Sequence, residues 1–138
     1  MNTEYSKWLG EISKLVGTYK PIRETGSPAE IQELRDSLSE ALFYFGPVQA
    51  QLRANAERAE AEYNSCLKEK TLYWKEKFSS KRGTADMVEA QAVLECKELQ
   101  DDLISANEDF YLAKSLLERS DQILNSISSR LKLVTKHE

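Results

Sequence analysis

The chain has 138 residues, 30% of them charged and 9% aromatic, with five glycines and three prolines, a composition that favours long helices in one domain over a compact β fold. A formal net charge of −4 excludes a global attraction to nucleic acid or to anionic membranes, so any anion-binding surface must be local. No apolar run reaches the eighteen or so residues of a membrane span, no leader pattern opens the chain, and two cysteines are too few for a disulfide framework. Cys66 and Cys96 therefore read as small packing residues, and the protein as soluble, cytoplasmic and without a membrane partner.

In chain order, Tyr5, Trp8, Leu9, Ile12, Leu15, Val16 and Tyr19 recur at three and four, which predicts a first short helix from about Thr3 to Thr18. Lys20 to Gly26 lacks periodicity, and its Pro21 and Gly26 mark a loop. Ser27-Pro28-Ala29-Glu30 then combines an N-cap serine, a proline in the first turn and a glutamate three residues after the cap, which is a capping box. The helix it opens carries Ile31, Leu34, Leu38, Ala41, Leu42 and Phe45 on one face and is expected to stop at Gly46-Pro47. Pro47 can itself open a third helix through Leu52, Ala56, Ala59, Tyr63, Cys66, Leu67, Tyr73, Trp74 and Phe78. A turn-prone Ser79-Ser80-Lys81-Arg82-Gly83 follows, with Thr84 as a cap for the last helix.

That last helix holds an alternating four-and-three seam over six heptads: Ala92, Cys96, Leu99, Leu103, Ala106, Phe110, Ala113, Leu117, Ser120, Leu124, Ile127, Leu131 and Val134. No Gly or Pro interrupts it, so one rod of roughly 80 Å is expected. The predicted architecture is all-α, a single domain of residues 1–138. Short N-terminal helices occupy 1–46, and a long antiparallel, coiled-coil-like hairpin is formed by 47–79 and 84–136. The distal seam is covered either by the N-terminal helices or by another subunit of a homo-oligomer.

Nothing in the sequence points to catalysis, a metal or a cofactor. His137 is the only histidine and penultimate, the cysteines lack ligand spacing, and no phosphate-binding glycine loop follows a strand. Charge is distributed unevenly. From Asn64 to Arg82, Lys68, Lys70, Lys75, Lys77, Lys81 and Arg82 outnumber Glu69 and Glu76 by four, whereas Thr84 to Asp121 has ten carboxylates against three cations. Arg130, Lys132 and Lys136 make the end basic again. Cations interleaved with Tyr73, Trp74 and Phe78 are what single-stranded nucleic acid needs, ammonium groups for phosphates and π-faces for bases. Equally, the aromatics can pack in the hairpin while the lysines pair with the acidic helix and set its register.

The segment Leu72-Tyr73-Trp74-Lys75-Glu76-Lys77-Phe78, the turn Ser79-Ser80-Lys81-Arg82-Gly83 and the close Ile123-Leu124-Asn125-Ser126-Ile127-Ser128-Ser129-Arg130 followed by Leu131-Lys132-Leu133-Val134-Thr135-Lys136 resemble the UvsY-type phage recombination mediators. The likeness spans about Tyr63 to Lys136, and its motifs are loose. It implies a small all-helical protein that binds single-stranded DNA and helps load a RecA-like recombinase onto DNA covered by single-strand binding protein, as a ring of identical subunits. Position by position, the resemblance implies that Lys75, Lys77 and Arg82, with Lys81 as an added charge, contact phosphate; Tyr73, Trp74 and Phe78, from their interleaving with cations alone, are candidates either to stack on bases or to pack in the hairpin. The resemblance puts Leu124, Ile127 and Leu131 in the assembly seam, and the heptad pattern adds Leu117 and Val134 to it. The acidic net charge departs from this expectation, and binding would depend on several copies acting together. The contrasting expectation is a coiled-coil structural adaptor, for example in virion assembly or as a tail chaperone.

Overall fold

The computed structural model describes residues 3–78 and 84–136, with side chains for all of these except 84 and 133–136. Among the described residues there are four helices and no strand: α1 (Thr3–Thr25), α2 (Pro28–Lys77), α3 (Thr84–Glu95) and α4 (Lys97–Lys136). None is long and apolar enough to cross a membrane. The chain divides into two compact units, one made of Met1–Gln51 with Tyr111–Glu138 and the other of Leu52–Phe110.

In the first unit, α1, the first half of α2 and the second half of α4 share one core. Tyr5, Ile12 and Val16 are buried from α1, Leu34, Leu38, Ala41, Phe45 and Val48 from α2, and Ala113, Ile123 and Ile127 from α4. The Tyr5 and Phe45 rings lie 6.5 Å apart at its centre. Ser120 is a seam position with a polar side chain buried in this core, and its hydroxyl donates to Leu116 O at 2.7 Å, so its burial leaves that donor met. The N-terminal helices thus cover the distal seam from within the chain.

The helix boundaries differ from expectation at three places. Residues 20–25 belong to α1, not to a loop, and Pro21 stands inside the helix. Gly46-Pro47 does not end a helix either, because α2 runs unbroken for 50 residues. Both prolines are exposed, as are Gly17 and Phe43 four residues before them, so the carbonyls that lose a partner face water. Leu34, Leu38, Ala41, Phe45, Val48 and Leu52 keep an alternating four-and-three spacing across Pro47, all of them buried, and that burial outweighs one missing hydrogen bond. Third, the expected single rod is interrupted at Cys96, a turn residue between α3 and α4. The i to i−4 ladder nonetheless spans it, with Cys96 N donating to Ala92 O at 3.1 Å and Gln100 N to Cys96 O at 3.0 Å.

The capping box stands as expected. Ser27 Oγ accepts from Glu30 N at 3.2 Å while Glu30 Oε1 accepts from Ser27 N at 3.3 Å. Gly26 closes α1 by donating to Ile22 O at 2.8 Å, and a Cβ there would lie 2.5 Å from that same oxygen, which only glycine avoids.

The second unit has a thinner core, with Leu52, Ala56, Val88, Ala92 and Cys96 buried. Here the cysteine reading is corrected. Cys66 of α2 and Cys96 form a disulfide, with their Cα atoms 6.1 Å apart, a separation within the normal range for the bond. A covalent cross-link replaces some of the apolar burial this unit lacks.

Candidate nucleic-acid interface

The last turns of α2 carry the cationic and aromatic residues singled out by the sequence. Helical spacing divides them between two directions. Trp74 turns toward α3, where its Nε1 donates to Glu95 Oε2 at 3.0 Å, and its ring stacks on Phe78 with centroids 5.2 Å apart. Tyr73 meets the Trp74 ring edge-on at 5.1 Å and is half exposed. One turn further along, Lys77 Nζ sits 5.6 Å above the Tyr73 ring, a cation–π pair at the surface. Lys75 is exposed as well. Lys81 and Arg82 lie outside the described residues, as do the turn around them and the Thr84 side chain.

Electrostatically, the arrangement separates two readings of the lysines. Among the described residues the ion pairs are Arg23 with Glu24, Arg53 with Glu57 and Lys97 with Asp101, all exposed and each within a single helix. None joins the basic stretch of α2 to the acidic stretch of α3 and α4, and Lys75 and Lys77 enter no ion pair among the described residues. One acidic group does matter here. The bond from Trp74 holds the Glu95 carboxyl below its ordinary range, helped by a 3.3 Å bond from Gln91 and the charge of Lys70, against a smaller opposing effect of desolvation. Glu95 therefore carries a full negative charge at neutral pH beside the edge of Trp74, which disfavours phosphate on that side.

Of the three aromatic residues, Tyr73 is the one offering a half-open face next to cations. Trp74 is committed to Glu95 and Phe78, a pairing that sequence reasoning missed because the partners lie 21 residues apart. The seam residues fall in the first unit, where Ile127 is fully buried and Leu117, Leu124 and Leu131 are half-buried; the Val134 side chain lies outside the described residues. Compared with known proteins, the chain matches no family model, and no curated protein or solved structure at a significant level.

Proposed function

We propose that this protein is a non-catalytic recombination mediator that binds single-stranded DNA and helps load a RecA-like recombinase onto DNA covered by single-strand binding protein. The observation that carries the reading is the pair Lys75 and Lys77, exposed and outside any ion pair among the described residues, with Lys77 poised over the half-open ring of Tyr73. Lysines that served only to fix register would be paired across the helices.

In this reading the second half of α2 and the α3–α4 segment form an antiparallel hairpin, and Lys81 and Arg82 add two cations to those that meet phosphate. The Cys66–Cys96 and Trp74–Glu95 contacts are consistent with that direction. Several copies assembled together raise a weak individual affinity to a useful one. Since Ile127 is taken by the chain's own core, the half-buried Leu117 and Leu124 would supply the seam's contact with a neighbour.

The test is the affinity of a labelled single-stranded oligonucleotide for the wild type and for Lys75→Gln/Lys77→Gln. The variant is expected to bind more weakly, with the salt slope of log affinity reduced by about 1.4, two lost phosphate contacts at about 0.7 each. Equal affinity and slope in a helical, equally assembled variant would transfer the protein to the structural adaptor reading, which the Trp74–Glu95 bond favours as a register pin.

A further inference from the structure

A second cationic surface lies in the other unit, on residues the α2 site does not include. On α1, Val16, Tyr19, Lys20 and Arg23 follow i, i+3, i+4 and i+7, and on α4, Arg119, Gln122, Ile123, Ser126 and Arg130 follow i, i+3, i+4, i+7 and i+11. Each set is therefore one helical face. The two faces line an open groove of about 320 Å³ to which Lys20, Arg23 and Arg119 contribute charge and to which no carboxylate contributes. Arg23 and Arg130 line an adjoining groove of about 280 Å³, beside Glu24.

These groups are oriented by the fold. Tyr19 and Ser126 hydroxyls share a 2.8 Å hydrogen bond across the groove floor, tying α1 to α4. Arg130 Nη1 donates to Arg23 O at 2.8 Å, meeting a carbonyl that the end of α1 leaves without a helical partner. The Arg23 guanidinium lies 5.6 Å from the centre of the Tyr19 ring and has one distant ion pair, to Glu24 at 3.9 Å. Lys20, Arg119 and Arg130 enter no ion pair among the described residues.

We infer that this groove binds the phosphodiester backbone of a nucleic-acid strand. Gathering like charges on one face of an acidic protein works against folding unless an anion offsets the repulsion. The extent of the groove selects a polymer over a single phosphate. Arg119 and Arg130 stand eleven residues apart on α4, about 16 Å along the axis, which several successive phosphates can span. Gln122 and whichever of the Tyr19 and Ser126 hydroxyls accepts in their mutual bond add neutral donors between the cations, suited to phosphate oxygens.

The experiment titrates a labelled single-stranded oligonucleotide of thymidine with the wild type, Lys20→Gln/Arg119→Gln, Lys75→Gln/Lys77→Gln and Lys114→Gln at several salt concentrations. Lys114 is exposed on α4 away from the groove and reports the effect of net charge alone. The groove variant is expected to lose about tenfold in affinity at low salt and about 1.4 in salt slope, with Lys114→Gln close to wild type. A groove variant that binds like wild type, or loses no more than Lys114→Gln, overturns the inference. Loss in the groove variant with none in Lys75→Gln/Lys77→Gln upholds the groove and removes the α2 site; the converse removes the groove and leaves the α2 site. Circular dichroism checks helicity, and if the double substitution lowers it, the single substitutions at these two exposed positions are each expected to show about half the loss in log affinity.

Discussion

The indole of Trp74 is held on two sides, by Glu95 through its N–H and by Phe78 through its face, so it joins α2 to α3 and leaves Tyr73 as the exposed ring. Because this bond is the main reason the Glu95 carboxyl titrates low, Trp74→Phe should return it upward toward the ordinary carboxylate range, as a side-chain NMR titration would record. The sign for stability follows. A depressed folded-state value stabilises above the ordinary carboxylate range, and that contribution fades as pH falls through the lowered value, so the variant should lose part of the wild type's advantage at neutral pH and little of it in strong acid. An unshifted Glu95 in Trp74→Phe would mean the bond does not form in solution. The capping box at Ser27 and Glu30 was legible in the sequence because its partners are three residues apart. The Trp74–Glu95 bond was not, since only tertiary folding brings its partners together.

Among the elements, α2 is where local rules and packing disagree. Proline is locally a helix breaker, yet Phe45 and Val48 on either side of Pro47 are buried in register with Leu38 and Leu52, so tertiary burial overrides the local preference. Pro47→Ala should therefore raise unfolding free energy, by up to about 3 kcal/mol in denaturant titrations, because alanine restores the ladder on an exposed face. A loss of stability would indicate that proline starts a new helix at this point. The seam from Leu34 to Leu52 is readable in the sequence, but Gly46-Pro47 is the stronger local signal at its middle and predicts a break there. The disulfide was hidden for another reason: its cysteines sit in ordinary helical sequence, 30 residues apart. Cross-linking a loop of that length is worth about 3.5 kcal/mol, so dithiothreitol should lower the melting temperature markedly, and a Cys66→Ser variant should melt near the reduced wild type. No change on reduction would show that the bond does not persist in solution. In a reducing compartment the same two side chains would stand as facing thiols.

At the scale of the whole molecule, the two units differ in how they hold together. The first packs three helices around large apolar side chains, whereas the second relies on small residues, a disulfide and the Trp74 bond. The all-helical class was legible from composition and periodicity and describes the structure; of the expected seam in α4, Ala113, Ser120 and Ile127 are buried, while burial at Ile123 in place of its neighbour Leu124 was not legible. The groove between α1 and α4 was not legible, because Lys20 and Arg23 fell in a segment read as a loop and only their helical spacing aligns them opposite Arg119 and Arg130. If the two cationic surfaces of this acidic chain bind nucleic acid as proposed, that binding is expected to be local, salt-sensitive and strengthened by assembly.

The most direct measurement is fluorescence anisotropy of matched single- and double-stranded oligonucleotides with the wild-type protein at low and physiological salt, with oligomer mass determined on the same sample. The account predicts an oligomer that prefers the single strand and weakens steeply as salt rises. A folded protein that binds neither form at low salt would contradict it.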